Sequence, residues 1–191
     1  MKKLVLAASI ALLTACAAPQ QQQQQINFMP TATTSKNTVV NNKAFTLVSK
    51  DVRSAQYVAL VDSGRSNIEP IHAKQNVRIA VENALAEQFS SQGYRLTVNS
   101  ENNVTVEIAE ALVTVKHSVM SNEMDGSVTL EITAETPKGK LVKTFNGTAK
   151  RSGTLSASND EIEMVLNDVM NLVLKEIAND SELNGYLQER F

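Results

Sequence analysis

The chain has 191 residues, 42% hydrophobic and 4% aromatic, with 18 Lys+Arg against 20 Asp+Glu and a formal net charge of −2. That weakly acidic, mixed-sign balance lacks the basic footprint of a nucleic-acid binder and the polybasic patch of a membrane-surface protein. A single cysteine excludes a disulfide-built scaffold.

The first predicted element is a leader. Lys2 and Lys3 form a positive start, Leu4 to Leu13 an apolar run, and Thr14-Ala15 a small-residue cleavage site before Cys16. The run is too short for a spanning helix, which needs roughly 20 apolar residues. Leu13-Thr14-Ala15-Cys16 has the form of a lipobox. It predicts removal of residues 1–15 and a Cys16 that carries S-diacylglycerol and an N-acyl chain such as palmitate. Cleavage removes two lysines and no acids, so the net charge moves from −2 to −4. Three acyl chains at about 0.8 kcal/mol per buried methylene anchor essentially permanently, where one chain holds marginally. Residue 17 is alanine rather than aspartate. In a Gram-negative host that favours the outer membrane, with the domain facing the periplasm.

Residues 16–43 read as a flexible tether rich in Gln, Thr and Asn, including the run Gln20 to Gln25. Their apolar content is too low to offset the entropy of ordering. A coil from Cys16 to Ala44 has a root-mean-square span of about 30 Å. Ile26, Phe28 and Met29 form a small apolar cluster within it that can dock locally.

Residues 44–191 read as one α+β domain. Strands are expected at about 44–53 and at Tyr57–Val61, then a long polar connection from Asp62 to Lys74. Val77, Val81, Ala84, Leu85 and Phe89 share one helical face. Gly93 marks the helix exit, with Phe89 and Tyr94 placed to touch in a Schellman closure. Leu96 and Val98 start a further strand. Val104, Val106 and Ile108 alternate, and the phase then shifts to Ala111, Val113 and Val115, which predicts a bulge or break near Ala109–Ala111. Asp125-Gly126 is a turn signal. Val128 to Ala134 alternate before a reversal at Thr136-Pro137-Lys138-Gly139. Leu141, Phe145 and Ala149 share a strand face, with Asn146-Gly147 as an alternative turn. Ser158-Asn159-Asp160-Glu161 is a capping box that opens a long amphipathic helix. Asn179 or Asp180 caps a short last helix carrying Leu183, Tyr186 and Leu187. The expected architecture is a mainly antiparallel sheet with two amphipathic helices on one face and a short C-terminal helix.

The lipobox, Asp51-Val52-Arg53, Gln92-Gly93-Tyr94 and Gly153-Thr154-Leu155-Ser156-Ala157-Ser158-Asn159 together resemble the YajG-like family of bacterial lipoproteins. The resemblance covers the leader and most of residues 44–191. It implies an uncharacterised outer-membrane lipoprotein and hands over no catalytic residue.

The sequence offers few candidates for chemistry. His72 and His117 stand apart, with no ligand pattern around them, and a metal site needs three or four convergent ligands. No nucleophile elbow or phosphate-binding loop occurs. Asp62, Glu69, Asp160, Glu161 and Glu163 form an acidic pair only if folding joins them. Met120 and Met124 fit core or turn better than a copper site. No cofactor is expected. Arg65, His72 and Lys74 in the polar connection form a candidate partner surface. The expectation is a non-enzymatic envelope module that binds or assembles with a protein or polymer. The alternative is a carrier of an apolar ligand, such as a lipid, between sheet and helices.

Overall fold

A computed structural model describes residues 24–35, 40, 42–64 and 67–191. Among these residues the order is β1 (Gln25–Ile26), β2 (Ala44–Asp51), β3 (Tyr57–Asp62), β4 (Ile68–Ala73), α1 (Val77–Ser91), β5 (Arg95–Leu96), β6 (Asn103–His117), β7 (Ser121–Thr136), β8 (Gly139–Thr154), α2 (Asn159–Asn179) and α3 (Ser181–Arg190). The class is α+β, as the sequence predicts.

Strict alternation builds β6, β7 and β8 into one long antiparallel ladder. Val104, Val106, Ile108, Val128, Leu130, Ile132 and Ala134 are buried on one face, while their neighbours along each strand meet solvent. The register shifts between Ile108 and Glu110, where the phase change predicts a bulge. The reversal between Thr136 and Gly139 also falls where the proline places it. Asp125-Gly126 and Asn146-Gly147 are different. Both lie inside continuous strands. There the glycines make room: a Cβ on Gly126 would sit 2.8 Å from a Val165 methyl, and one on Gly147 2.6 Å from a Val173 methyl. The turn signal is overridden because α2 presses onto the sheet at these two points.

The other edge of β6 is parallel. β2 pairs with its first half and β3 with its second, so the two strands lie end to end along one edge. Sequence order through α1 makes this possible, since parallel strands need a crossover. β4 returns antiparallel beside β3. The polar connection expected over 62–74 is thus corrected: its second half, Ile68–Ala73, is a strand. Pro70 hides it in the sequence, yet β1 pairs with β4 only at His72 and Ala73, and a proline is tolerated where the outer side of a strand has no partner among the described residues. The strand expected from Leu96 to Val98 stops at Leu96.

Both long helices cover the buried face. α1 begins at Asn76, whose side chain accepts the Ile79 N–H, and packs on β2 and β5. α2 has the full capping box between Ser158 and Glu161 and packs on β6, β7 and β8. Asp180 caps α3 through the Leu183 N–H at 2.7 Å. Phe45 on β2 anchors one end, with Phe89, Tyr94 and Phe191 set edge-on at 5.3, 5.5 and 5.6 Å. Gly93, at φ +99°, turns the chain so that the Tyr94 N–H reaches the Phe89 carbonyl, as a Schellman closure requires.

Candidate functional site

The feature that most constrains function lies between the two long helices. Residues 26–35 run through that slot as an extended strap. Alternate backbone N–H groups donate to α2: Asn27 to Glu163 Oε2 at 2.8 Å, Met29 to Asn167 Oδ1 at 2.9 Å and Thr31 to Asn171 Oδ1 at 2.7 Å. The acceptors are four residues apart on one helical row. Two extended residues advance about 6.6 Å. Four helical residues advance about 6.0 Å. The two repeats nearly match, so three successive rungs form. The strap then bonds to α1, with Thr33 donating to Gln88 Oε1 at 3.3 Å and Ser35 to Ser91 Oγ at 2.9 Å.

Between the rungs, Phe28 donates its backbone N–H to Gln75 Oε1 at 2.8 Å and buries its ring completely. Ile26 is buried too, on β1, which pairs parallel with the end of β4. Met29 stays exposed. The expectation of a flexible spacer through residue 43 is therefore corrected over residues 24–35. Of the predicted apolar cluster, Ile26 and Phe28 dock. What holds the rest is main-chain hydrogen bonding to helix side chains, which needs no apolar content in the strap.

A second feature is the gap between β2 and β3. The chain leaves the edge of β6 there, opposite the bulge. Arg53 folds back onto Asp51, with Nε to Oδ1 and Nη2 to Oδ2 both 2.8 Å, and reaches the Tyr57 carbonyl at 3.3 Å. The Arg53 side chain is only 5% exposed. Its bonds to Asp51 hold that carboxyl below the usual range despite partial burial. The notch beside the pair has a volume of about 270 Å³ and is lined by Arg53, Tyr57, Glu110 and Thr129 among others. Glu110 accepts the Ser127 hydroxyl at 2.7 Å. Each charge here is already partnered, so the pair clamps the strand break.

The candidate partner residues separate. Arg65 lies outside the described residues, as do Cys16 and the leader. His72 and Lys74 sit at the end of β4 and share a polar cleft with Asp51, Arg53 and Gln56. Their backbone N–H groups hold the strap, His72 to the Gln24 carbonyl at 3.1 Å and Lys74 to the Ile26 carbonyl at 2.9 Å. His117 accepts the Ala157 N–H at Nε2, 3.1 Å, just before α2. The acidic residues take separate tasks. Asp62 accepts the Gly64 N–H, Glu161 closes the capping box and Glu163 holds the strap. Met124 is buried core and Met120 an exposed turn residue. Among the described residues no group of three or more His, Cys, Asp or Glu is placed to hold a metal ion.

A polar pocket of about 310 Å³ lies beneath Thr33–Ser35, lined also by Gln92, Tyr94, Asn179 and Asn184. The Tyr94 hydroxyl and Gln92 Oε1 are buried and have no hydrogen-bond partner among the described residues. Burial pushes the Tyr94 phenol up to about 12.

Comparison with known proteins gives a family and a fold. A family model described as an uncharacterised lipoprotein matches residues 30–188. No curated protein matches the chain. The chain is similar to the crystal structure of protein XCC0632 from Xanthomonas campestris, at 11% identity and a TM-score of 0.58, over 86% of this chain and 99% of that one. It is also similar to the crystal structure of an uncharacterised protein, at 12% identity and a TM-score of 0.51, over 82% of this chain and 97% of that one. At these identities the likeness concerns fold. No helix among the described residues is long and apolar enough to cross a membrane.

Proposed function

The chain belongs to an uncharacterised lipoprotein family, and from that premise we propose that it is a YajG-like outer-membrane lipoprotein, acylated at Cys16, whose domain faces the periplasm as a non-enzymatic binding or assembly module. The observation that carries this reading is the strap. It fixes the chain to the folded unit from Gln24 onward, by strand pairing to β4 and bonds to both helices. Only eight steps separate Gln24 from Cys16. The anchor therefore holds the domain on a leash of at most about 28 Å, eight steps in place of the 28 from Cys16 to Ala44 expected from the sequence. A domain held this close meets partners at the membrane.

An apolar-ligand carrier draws no support from the packing. α2 lies on the sheet in direct contact at Gly126 and Gly147, with no room for even one added carbon. That contact runs along the middle of the layer where an acyl chain would have to lie.

The test is crosslinking in intact cells, with the acylated protein purified from solubilised envelopes and its adducts identified by mass spectrometry. A reproducible envelope partner is expected. No reproducible adduct, together with normal envelope integrity in a deletion strain, would overturn the proposal.

A further inference from the structure

One end of the sheet carries apolar side chains where polar ones are usual. The turn between β6 and β7 is Ser118-Val119-Met120-Ser121, and its central residues are 98% and 76% exposed. Such turns normally use Gly, Asn, Asp or Ser. Beside it Leu155 is 70% exposed and donates its N–H to the Met120 carbonyl at 3.2 Å. Leu155 sits at φ +63°, a left-handed conformation that suits glycine or asparagine. Across the same end of the sheet, Ile68 is 59% exposed, opposite Asp62, which in turn pairs with Lys116. Single exposed apolar residues need no explanation, whereas a group gathered at one end marks an interaction surface.

The course of the chain says what meets it. β1 runs parallel to β4, so from Ile26 back to Gln24 the strand heads in the direction of Ile68. The strap also runs beside α2 from Glu163 toward Asn171, so it starts at the N-terminal end of that helix. The capping residue Ser158 lies only three residues beyond Leu155. Both directions turn the exit of the leash toward the apolar end. Gln25 pairs with His72, four residues from Ile68, or about 13 Å at about 3.3 Å per residue. A leash of at most about 28 Å therefore reaches the apolar end with length to spare.

We propose that Val119, Met120, Leu155 and Ile68 form a membrane-contact tip that dips into the lipid interface beside the acyl anchor and fixes the orientation of the domain. This rests on the reading of Cys16 as the acylation site. Apolar side chains at the boundary of headgroups and acyl chains gain burial without needing to span the bilayer. The anchor supplies the affinity, and the tip adds a second point of contact.

The chain contains no tryptophan, so one introduced residue reports alone. Val119→Trp marks the tip. Val98→Trp marks the opposite end, where Val98 is 87% exposed and Thr97 bonds to Phe45 near the start of β2. Each full-length acylated variant is reconstituted into phosphatidylethanolamine/phosphatidylglycerol vesicles, some with brominated acyl chains. The Val119→Trp emission is expected to move to shorter wavelength and to be quenched several-fold by the brominated lipid, with Val98→Trp unchanged. If the protein floats with the vesicles but Val119→Trp stays water-like, or both probes are quenched alike, the tip is wrong and the anchor stands. If the protein does not float at all, the acylation reading fails and the tip falls with it.

Discussion

Met29 donates its backbone N–H to the Asn167 side-chain oxygen at 2.9 Å, across 138 positions of sequence. Asn167 also donates, through Nδ2, to the Asn27 carbonyl at 3.3 Å. One amide thus grips the strap by a donor and an acceptor, and at Asn167 the helix bonds only to main chain. Residues 24–35 are therefore part of the folded unit.

Loss of the strap's deepest side chain tests this. Phe28→Ala is expected to destabilise the protein by about 3 kcal/mol, the lower end for a buried phenylalanine, since local detachment limits the cost. Urea unfolding measures it. Limited proteolysis should then cut within residues 24–35 while residues 44–191 stay intact. A wild-type urea midpoint with an uncut strap would show that Phe28 does not hold the segment.

The contact between α2 and the sheet gives a second expectation. Gly147→Ala places a carbon 2.6 Å from Val173 Cγ2 and 3.2 Å from the Val169 carbonyl oxygen. Overpacking of this kind costs about 1–3 kcal/mol. Gly185→Ala meets nothing within 4 Å and serves as the control. It should be neutral or slightly stabilising, because alanine is the better helix former. Equal thermal midpoints for the two variants would contradict the tight layer.

The Asp51–Arg53 clamp predicts an acid response. Arg53 holds the Asp51 carboxyl below its usual value, so the folded state binds its proton less readily than the unfolded chain. The stability it contributes is present above the unfolded value of about 4 and is lost as pH falls through the lower folded value. Asp51→Asn should flatten that part of the stability profile below about pH 4. Arg53→Met leaves a partly buried carboxylate alone and should cost about 3 kcal/mol at neutral pH. Denaturant titrations from pH 2 to 7 read both effects (an about five-unit window around the carboxylate range). An unchanged acid limb in Asp51→Asn would remove the clamp from the account.

Elements with one dominant local signal were legible in the sequence. The face of Val77, Val81, Leu85 and Phe89, the Ser158–Glu161 capping box and the phase change after Ile108 each reappear as observed features. Elements fixed by distant partners were not. Gly126 and Gly147 look like turn residues until Val165, Val169 and Val173 are placed over them. Pro70 argues against a strand until β1 is seen to cover β4 only at His72 and Ala73, which leaves the outer side of Pro70 without a strand partner among the described residues. The strap carries almost no pattern of its own, since Asn27, Met29 and Thr31 each donate a backbone N–H to Glu163, Asn167 and Asn171, and Asn27 alone adds a side-chain bond, to Glu163. The spacing of those three acceptors is the one signal that could have exposed it. The candidate surface of Arg65, His72 and Lys74 rested on polarity in a supposed loop, and in the fold His72 and Lys74 hold β1 through their backbone.

The pocket beneath the strap yields a further expectation. The Tyr94 hydroxyl is buried without a protein partner among the described residues. Removing such a group is neutral or stabilising by up to about 1 kcal/mol, because its desolvation is no longer uncompensated. Tyr94→Phe should therefore raise the urea midpoint or leave it unchanged. A loss above about 1 kcal/mol would mean that the hydroxyl is hydrogen-bonded in solution. Absorbance titration should also show one of the three tyrosines ionising late, near a pKa of about 12.

The account depends most on Cys16. Intact-mass and N-terminal peptide analysis of the protein extracted from membranes measures it directly. The predicted result is a chain that begins at Cys16, lacks residues 1–15 and carries the mass of three acyl chains with a glycerol linkage. Cys16→Ala should leave the unprocessed precursor. A mature chain that begins elsewhere, or a Cys16 with a bare thiol in a freely soluble protein, would contradict the account.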